Sequence, residues 1–127
     1  MSIKKYYLHI KVLILCIISL KCVHNYEPII IELIAEPNPV ETGGMVMLKC
    51  TAKDEDESNI KNADVISYNW DSDFGSFIKV DTSDTILNSL SDIYWVAPDD
   101  TGYYSITCSV EDEYNGFDIS SIIVTVQ

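Results

Sequence analysis

Cysteine and carboxylate side chains are the residues of this sequence with the most obvious chemistry. The cysteines are Cys16, Cys22, Cys50 and Cys108. Nucleophilic catalysis of the Ser-His-Asp or Cys-His kind also needs an imidazole beside the nucleophile. Both histidines, His9 and His24, precede the part of the chain that carries strand patterns. The sequence therefore predicts a protein that is not an enzyme.

Two of the cysteines lie in segments where apolar and polar residues alternate strictly, which is typical of a strand with one buried face. The segment VMLKCTAK places Cys50 on its apolar face, and YYSITCSV does the same for Cys108. Trp70 lies between them in sequence. Two inward cysteines with an intervening tryptophan are typical of a β-sandwich whose sheets are joined by a disulfide packed on an indole. We therefore predict a disulfide between Cys50 and Cys108.

Other alternating segments complete the prediction of an all-β fold. They are IIIELIAE (29–36), ISYNWD (66–71), DIYWV (92–96) and SIIVTV (121–126). Turns are predicted at Gly43-Gly44, at Gly75 and at Asn115-Gly116, and Pro37 and Pro39 are predicted to end the first strand. Inward aromatic residues are predicted at Tyr68, Trp70, Trp95 and Tyr104, and outward ones at Tyr94, Tyr103, Tyr114 and Phe117. The result is a single antiparallel sandwich of about seven strands.

The frame of these motifs resembles the bacterial immunoglobulin-like domains of polycystic-kidney-disease (PKD) type over roughly residues 28–127. The resemblance rests on AEPNPVETGGMVMLKCTAKDEDES, ISYNWDSDFGSF, IYWVAPDDTGYYSITCSVEDEYNG and IIVTV. Tyr104 stands four residues before Cys108, whereas the tyrosine corner of antibody domains has a spacing of two. That difference leaves open whether the corner hydrogen bond forms. The resemblance implies a fold but not a specific function, because such modules carry many functions.

The first 22 residues resemble a signal peptide. A basic segment precedes the uncharged run VLILCIISL (12–20), which is far shorter than the roughly 20 residues of a transmembrane helix. Cys22 follows this run directly, as the acylated cysteine of a bacterial lipoprotein does, and acyl chains would anchor the protein in a membrane. Lys21 replaces the small residue usual before that cysteine, so a cleaved leader and an uncleaved anchor stay open. Residues 23–27 are predicted to be a tether.

The charge of the chain restricts the classes of partner that it could bind. The chain has eight lysines, no arginine and twenty acidic residues, and only four of the lysines follow residue 22. Nucleic-acid binding needs a basic surface, so it is excluded. Contact with an anionic membrane is expected only through the lipid anchor or signal segment.

Six acidic residues could form a calcium site. They are Asp54, Asp56, Glu57, Glu111, Asp112 and Glu113. In the sandwich that the resemblance implies, the loops carrying them lie at one end, and calcium takes six to eight oxygen ligands. Some PKD-type modules bind calcium, so the resemblance implies this cofactor; the alternative is that these loops are merely solvated. No other cofactor is predicted.

Together these observations predict an exported, non-catalytic module of the cell envelope, lipid-anchored through Cys22. It would serve as a structural component or bind a protein or glycan whose identity the sequence does not give. The alternative is a calcium-dependent carbohydrate-binding or adhesion module.

Overall fold

The computed structural model of the chain describes residues 25–55, 65–79 and 90–127. Seven strands form: β1 Ile29–Glu36, β2 Met45–Lys53, β3 Ser67–Asp71, β4 Ser76–Lys79, β5 Asp92–Val96, β6 Gly102–Glu111 and β7 Phe117–Val126. Within the described ranges no helix is long and apolar enough to cross a membrane. The predicted all-β architecture of about seven strands is confirmed.

The strands form two antiparallel sheets that face each other. One sheet has the order β1-β2-β5-β4, and the other has the order β3-β6-β7. Alternate residues of both sheets point into the space between them, as the period of two requires. The most deeply buried core side chains are Trp95, Leu48, Ile93, Ile106, Val46, Val110, Val124, Cys50 and Cys108. These are the inward residues that the alternation predicts.

The first strand departs from its predicted pattern. Its pairing with β2 shifts register between Ile30 and Glu32, so Ile31 is an extra residue that forms a β-bulge. The bulge reverses the facing of the residues before it. Ile30 packs against the core, as Leu33 does after the bulge, whereas Ile31 is 63% exposed. A regular alternation that includes Ile31 on the inward face is therefore wrong at this position.

The β6–β7 hairpin sets the length of the sandwich. Its two strands pair from Gly102 and Val126 to Glu111 and Phe117 without a register shift. Ten residues per strand correspond to roughly 33 Å. The turn at one end of this hairpin and the chain terminus at Gln127 are therefore at opposite ends of the domain.

The segment after β1 covers part of the outer edge of β7. Val40 forms an isolated parallel bridge with Val126. The side chain of Asn38 donates to the carbonyl of Ile123 at 2.8 Å and accepts from the amide of Thr125 at 2.9 Å. Backbone groups that would otherwise form an open sheet edge are thus satisfied within the chain.

Candidate functional site

The predicted disulfide pair comes together in the core. Cys50 lies opposite Leu33 of β1, and Cys108 lies opposite Trp70 of β3. Both are buried free thiols, and their side chains interact across the two sheets. That interaction and the burial of the side chain raise the pKa of the Cys108 thiol. The juxtaposition agrees with the predicted pairing, and the disulfide itself stays a prediction.

Both tryptophans are core residues whose indole N–H groups are satisfied. Trp70 donates to the carbonyl of Leu90 at 2.9 Å, and Trp95 donates to that of Phe74 at 3.0 Å. A buried indole needs such a partner. Gly75 makes the second contact possible, because its φ is +76° and a Cβ there would lie 2.5 Å from Nε1 of Trp95. The predicted turn at Gly75 and the inward facing of both tryptophans are confirmed.

Tyr104 forms a hydrogen bond to the backbone upstream of it, although its spacing from Cys108 differs from that of antibody domains. Its hydroxyl donates to the backbone carbonyl of Asp100 at 2.8 Å. Its ring packs edge-on against Phe74, with centroids 5.6 Å apart, and tilted against Trp95 at 6.0 Å. A shift of two residues along a strand keeps a side chain on the same face. The tyrosine corner bond therefore forms although Cys108 is four residues away.

Asp112 organises the turn between β6 and β7. Its Oδ1 accepts from the backbone amides of Tyr114 at 2.7 Å and Gly116 at 2.8 Å, and its Oδ2 accepts from Nδ2 of Asn25 at 3.0 Å. Burial raises the pKa of Asp112, but the bonds from Asn25, Gly116 and Tyr114 together hold it below its ordinary value. The carboxylate stabilises the turn as an anion.

This turn differs from the predicted two-residue turn at Asn115-Gly116. Only Asn115 has a left-handed backbone, with a φ of 65°, and the loop closes through a bond from the amide of Asp112 to the carbonyl of Gly116. A Cβ on Gly116 would lie 2.5 Å from the Asp112 carboxylate. The glycine is required because the carboxylate approaches the backbone closely.

Residues before β1 are also fixed at this end of the domain. Pro28 is fully buried, and the carboxylate of Asp118 accepts from the backbone amides of Ile30 and Ile119, both at 2.8 Å. Within the predicted 23–27 tether, Asn25 contacts the sandwich through its bond to Asp112. Asp118 was not among the functional candidates, because nothing in its local sequence distinguishes it from the other acidic residues of the chain.

The predicted calcium ligands are only partly described. Asp54 is buried directly after β2, whereas Glu111 and Glu113 are exposed beside Asp112. Asp56 and Glu57 lie outside the described residues, as does the predicted lipid-attachment residue Cys22. Among residues 25–55, 65–79 and 90–127, no three metal-binding side chains converge. Calcium binding stays a prediction.

An apolar surface covers part of the outer face of the four-stranded sheet. Met47, Tyr94 and Ile78 are direct cross-strand neighbours on β2, β5 and β4, and Met45 lies beside Val96 in the next row. Met45, Met47 and Ile78 are exposed. Directly opposite residues on a sheet have Cβ atoms about 5 Å apart, so these side chains are contiguous. We call these five residues the apolar row.

The outer face of the three-stranded sheet has a different composition. Ser105, Thr107 and Ser109 run along the middle of β6, and Thr107 shares a 2.8 Å hydrogen bond with Ser121 of β7. Exposed apolar residues on this face lie along β7 and at one end of β6: Phe117, Ile119, Ile123 and Tyr103. The predicted outward facing of Tyr103 and Phe117 is confirmed.

Sequence analysis singled out Tyr94 but missed the rest of the apolar row. The available signal is that MVML and IYWV are continuous apolar runs, in contrast to YYSITCSV. Such runs indicate strands whose two faces are both apolar. Strict alternation identifies the core face of a strand, whereas a continuous apolar run also indicates an apolar outer face.

Comparisons with known proteins find likeness in structure but not in sequence. No protein-family model matches the chain, and no curated protein matches it. Part of a nucleoside hydrolase-related hypothetical protein from Saccharophagus degradans, associated with carbohydrate metabolism, aligns with 81% of the chain at a TM-score of 0.58 and 15% identity. Domains 4 and 5 of the S-layer protein SbsC align with 78% of the chain at a TM-score of 0.44 and 16% identity.

The chain spans only 26% of the first of these structures and 53% of the second. At 15% identity, the likeness to the first structure shows a shared fold and carries no information on activity.

Proposed function

We propose that this chain is an exported, non-catalytic β-sandwich module of immunoglobulin-like, PKD-related type. It binds another protein of the cell envelope through the outer face of its four-stranded sheet. The N-terminal segment directs export, and Cys22 carries the lipid that holds the module at a membrane.

The strand order supports the proposed type. Seven-strand constant-type immunoglobulin domains place strands A, B, E and D in one sheet and C, F and G in the other. In chain order, β1-β2-β5-β4 and β3-β6-β7 correspond to this division. The bond from Tyr104 to Asp100 supports the same type.

The apolar row is the observation that carries the protein-binding function. Three strands present five contiguous apolar side chains on one face of the sheet. Contiguous exposed apolar surface marks interaction sites, and tyrosine and methionine are enriched in protein interfaces. Tyr94 and Met47, adjacent at the centre of the row, form its most favourable contact point.

Site-specific photo-cross-linking in the native envelope tests this function. A photoreactive residue at Met45 should cross-link one partner protein, whereas the same residue at Ser109 on the opposite sheet should not. Ile78→Glu should abolish the cross-link from Met45. The matched control is Ile123→Glu, because Ile78 is 47% exposed and Ile123 is 52% exposed on the other outer face.

Each surface variant should change the free energy of unfolding by no more than about 0.5 kcal/mol, so that lost binding is not lost folding. Equal cross-linking from both sheet faces, or a cross-link that survives Ile78→Glu, would contradict the proposal.

The anchor has its own test. Mass spectrometry of the mature N-terminus should find a diacylglyceryl group on Cys22. An unmodified N-terminus on either side of Cys22 would refute lipidation, but it would not bear on protein binding through the apolar row.

A further inference from the structure

A cleft of about 430 Å³ opens beside the start of β7, away from the apolar row. Its described lining comes from residues 25–29, which end at the first residue of β1, from the residue that follows Asp54, and from the first two residues of β7. These residues are Asn25, Tyr26, Glu27, Pro28, Ile29, Glu55, Phe117 and Asp118. Segments distant in sequence thus converge to form one concave surface, as in most small-ligand sites.

The walls of the cleft are apolar and aromatic. Phe117, Ile29 and Tyr26 are 65%, 59% and 45% exposed, so three large apolar side chains converge on one depression in the surface. Isolated exposed apolar residues are ordinary, whereas a concave group of them indicates a ligand site. The aromatic rings can also attract a cation through their π faces.

The rim of the cleft is negatively charged. Glu27, Glu55 and Asp118 are among the described residues that line the cleft, and no lysine is among those described residues. Asp118 is fixed by its two backbone hydrogen bonds, which leave further lone pairs available. The cleft therefore combines carboxylates with apolar walls.

We propose that this cleft binds the side chain of a lysine residue on a partner peptide. The alkyl stem of lysine would pack on Phe117, Tyr26 and Ile29, and its ammonium group would meet Glu27, Glu55 and Asp118. An ammonium group has three donors and no acceptor, which matches a rim of carboxylates. The carboxylates would repel an anionic ligand. A wholly apolar ligand would remove water from the carboxylates without offering a hydrogen bond in return.

NMR titration of the full-length chain in detergent micelles with Nα-acetyl-lysine methylamide tests the proposal. The amide signals of Tyr26, Glu27, Phe117 and Asp118 should shift saturably, and added salt should weaken the binding because exposed charges are screened. The Nε-acetylated form of the same compound keeps the stem but removes the charge, and it should not bind.

Variants locate the site. Phe117→Leu removes the ring but keeps an apolar side chain, and it should weaken binding roughly twofold to fivefold. Glu27→Gln combined with Glu55→Gln should weaken it roughly twofold to tenfold. Tyr103→Leu is the matched control, since Tyr103 is an exposed aromatic residue at the opposite end of β6, and it should leave binding unchanged.

Three results would overturn the proposal: equal binding of the Nε-acetylated compound, shifts that map elsewhere, or an unchanged affinity in Phe117→Leu. Binding of pentane-1,5-diamine without binding of the lysyl compound would also overturn it, because the ligand would then be a free polyamine and not a protein side chain.

Discussion

The two ends of the sandwich are held by different chemistry. At the end that contains the Asp112–Gly116 turn, the carboxylates of Asp112 and Asp118 accept hydrogen bonds from backbone amides of neighbouring segments. At the opposite end, Val40 exchanges backbone hydrogen bonds with Thr125 and Gln127, and Asn38 adds neutral amide bonds. We call these the carboxylate end and the amide end.

Ionised side chains contribute to the hydrogen bonding of the carboxylate end. A hydrogen bond to an ionised acceptor is roughly twice as strong as a neutral one, but it depends on ionisation. The carboxylate end should therefore respond to pH and to cations, whereas the bonds of Asn38 and the backbone should not.

Loss of the cysteine pair in the core, between the two ends, should reduce stability the most. Cys50 and Cys108 are 58 positions apart in sequence, and a disulfide closing such a loop contributes about 4 kcal/mol on the chain-entropy model. Replacing both, as Cys50→Val with Cys108→Ala, should lower the free energy of unfolding by about that amount. Because the pair joins the two sheets, hydrogen exchange should accelerate at both ends together. Denaturant titration and exchange measure the two effects.

Thiol counting decides whether the disulfide exists. Protein alkylated in its native envelope and then denatured should show no reactive thiol at Cys50 or Cys108 before reduction. Two reactive thiols there would contradict the disulfide but not the sandwich, since a buried free cysteine packs as a small apolar residue.

The core positions were predictable from sequence, whereas the β-bulge in β1 was not. Val46, Leu48 and Ile106 face inward because strict alternation leaves one face for the core. The bulge at Ile31 could not be predicted, because an apolar residue fits either face and only the pairing with β2 shows the extra residue.

At the candidate site, the role of Asp112 likewise could not be predicted from local sequence. Sequence placed Asp112 in a calcium set because its neighbours are acidic, but the structure shows its carboxylate accepting bonds from Asn25, Tyr114 and Gly116. An aspartate beside a turn is suited to such bonds. The partner Asn25 is 87 positions away, so local sequence could not reveal it.

Asp112→Ala should produce the second-largest effect. Removing the carboxylate leaves the amides of Tyr114 and Gly116 without their acceptor, at a cost of roughly 2 kcal/mol. Hydrogen exchange should accelerate at the carboxylate end and stay unchanged at the Val40–Gln127 contacts. Glu113→Ala is the control, because Glu113 is an exposed acid in the same turn. Equal effects of the two substitutions would refute the role of Asp112.

The pH dependence of stability should follow from the same carboxylate. The pKa of Asp112 is lower in the folded chain than in the unfolded one, so the unfolded state binds more protons in this range. Its contribution is complete above the unfolded pKa and is lost as the pH falls through the folded pKa. Acid titration of Asp112→Asn should show a shallower loss of stability than the unsubstituted protein. An identical acid profile would contradict this prediction.

Asn38→Ala should have a smaller effect at the amide end. The substitution removes one donor and one acceptor bond to β7 at an exposed position, which corresponds to about 1 kcal/mol. The difference in unfolding free energy from the unsubstituted protein should be constant across acidic pH, because the amide carries no charge. A loss that grows or shrinks through the carboxylate range would show that the two ends are coupled.

Calcium should give the smallest effect if the predicted acidic ligands bind it. Calcium sites of extracellular modules have dissociation constants of roughly 0.1–1 mM, and a concentration equal to that constant stabilises the folded state by only about 0.4 kcal/mol. The sensitive measurement is hydrogen exchange, where protection should rise at the amides of Tyr114 and Gly116 and not at Val40 or Gln127. Glu111→Gln with Glu113→Gln should abolish the rise while leaving the Asp112 bonds in place. Unchanged protection at Tyr114 and Gly116 in excess calcium would show that this end is held by its own hydrogen bonds alone.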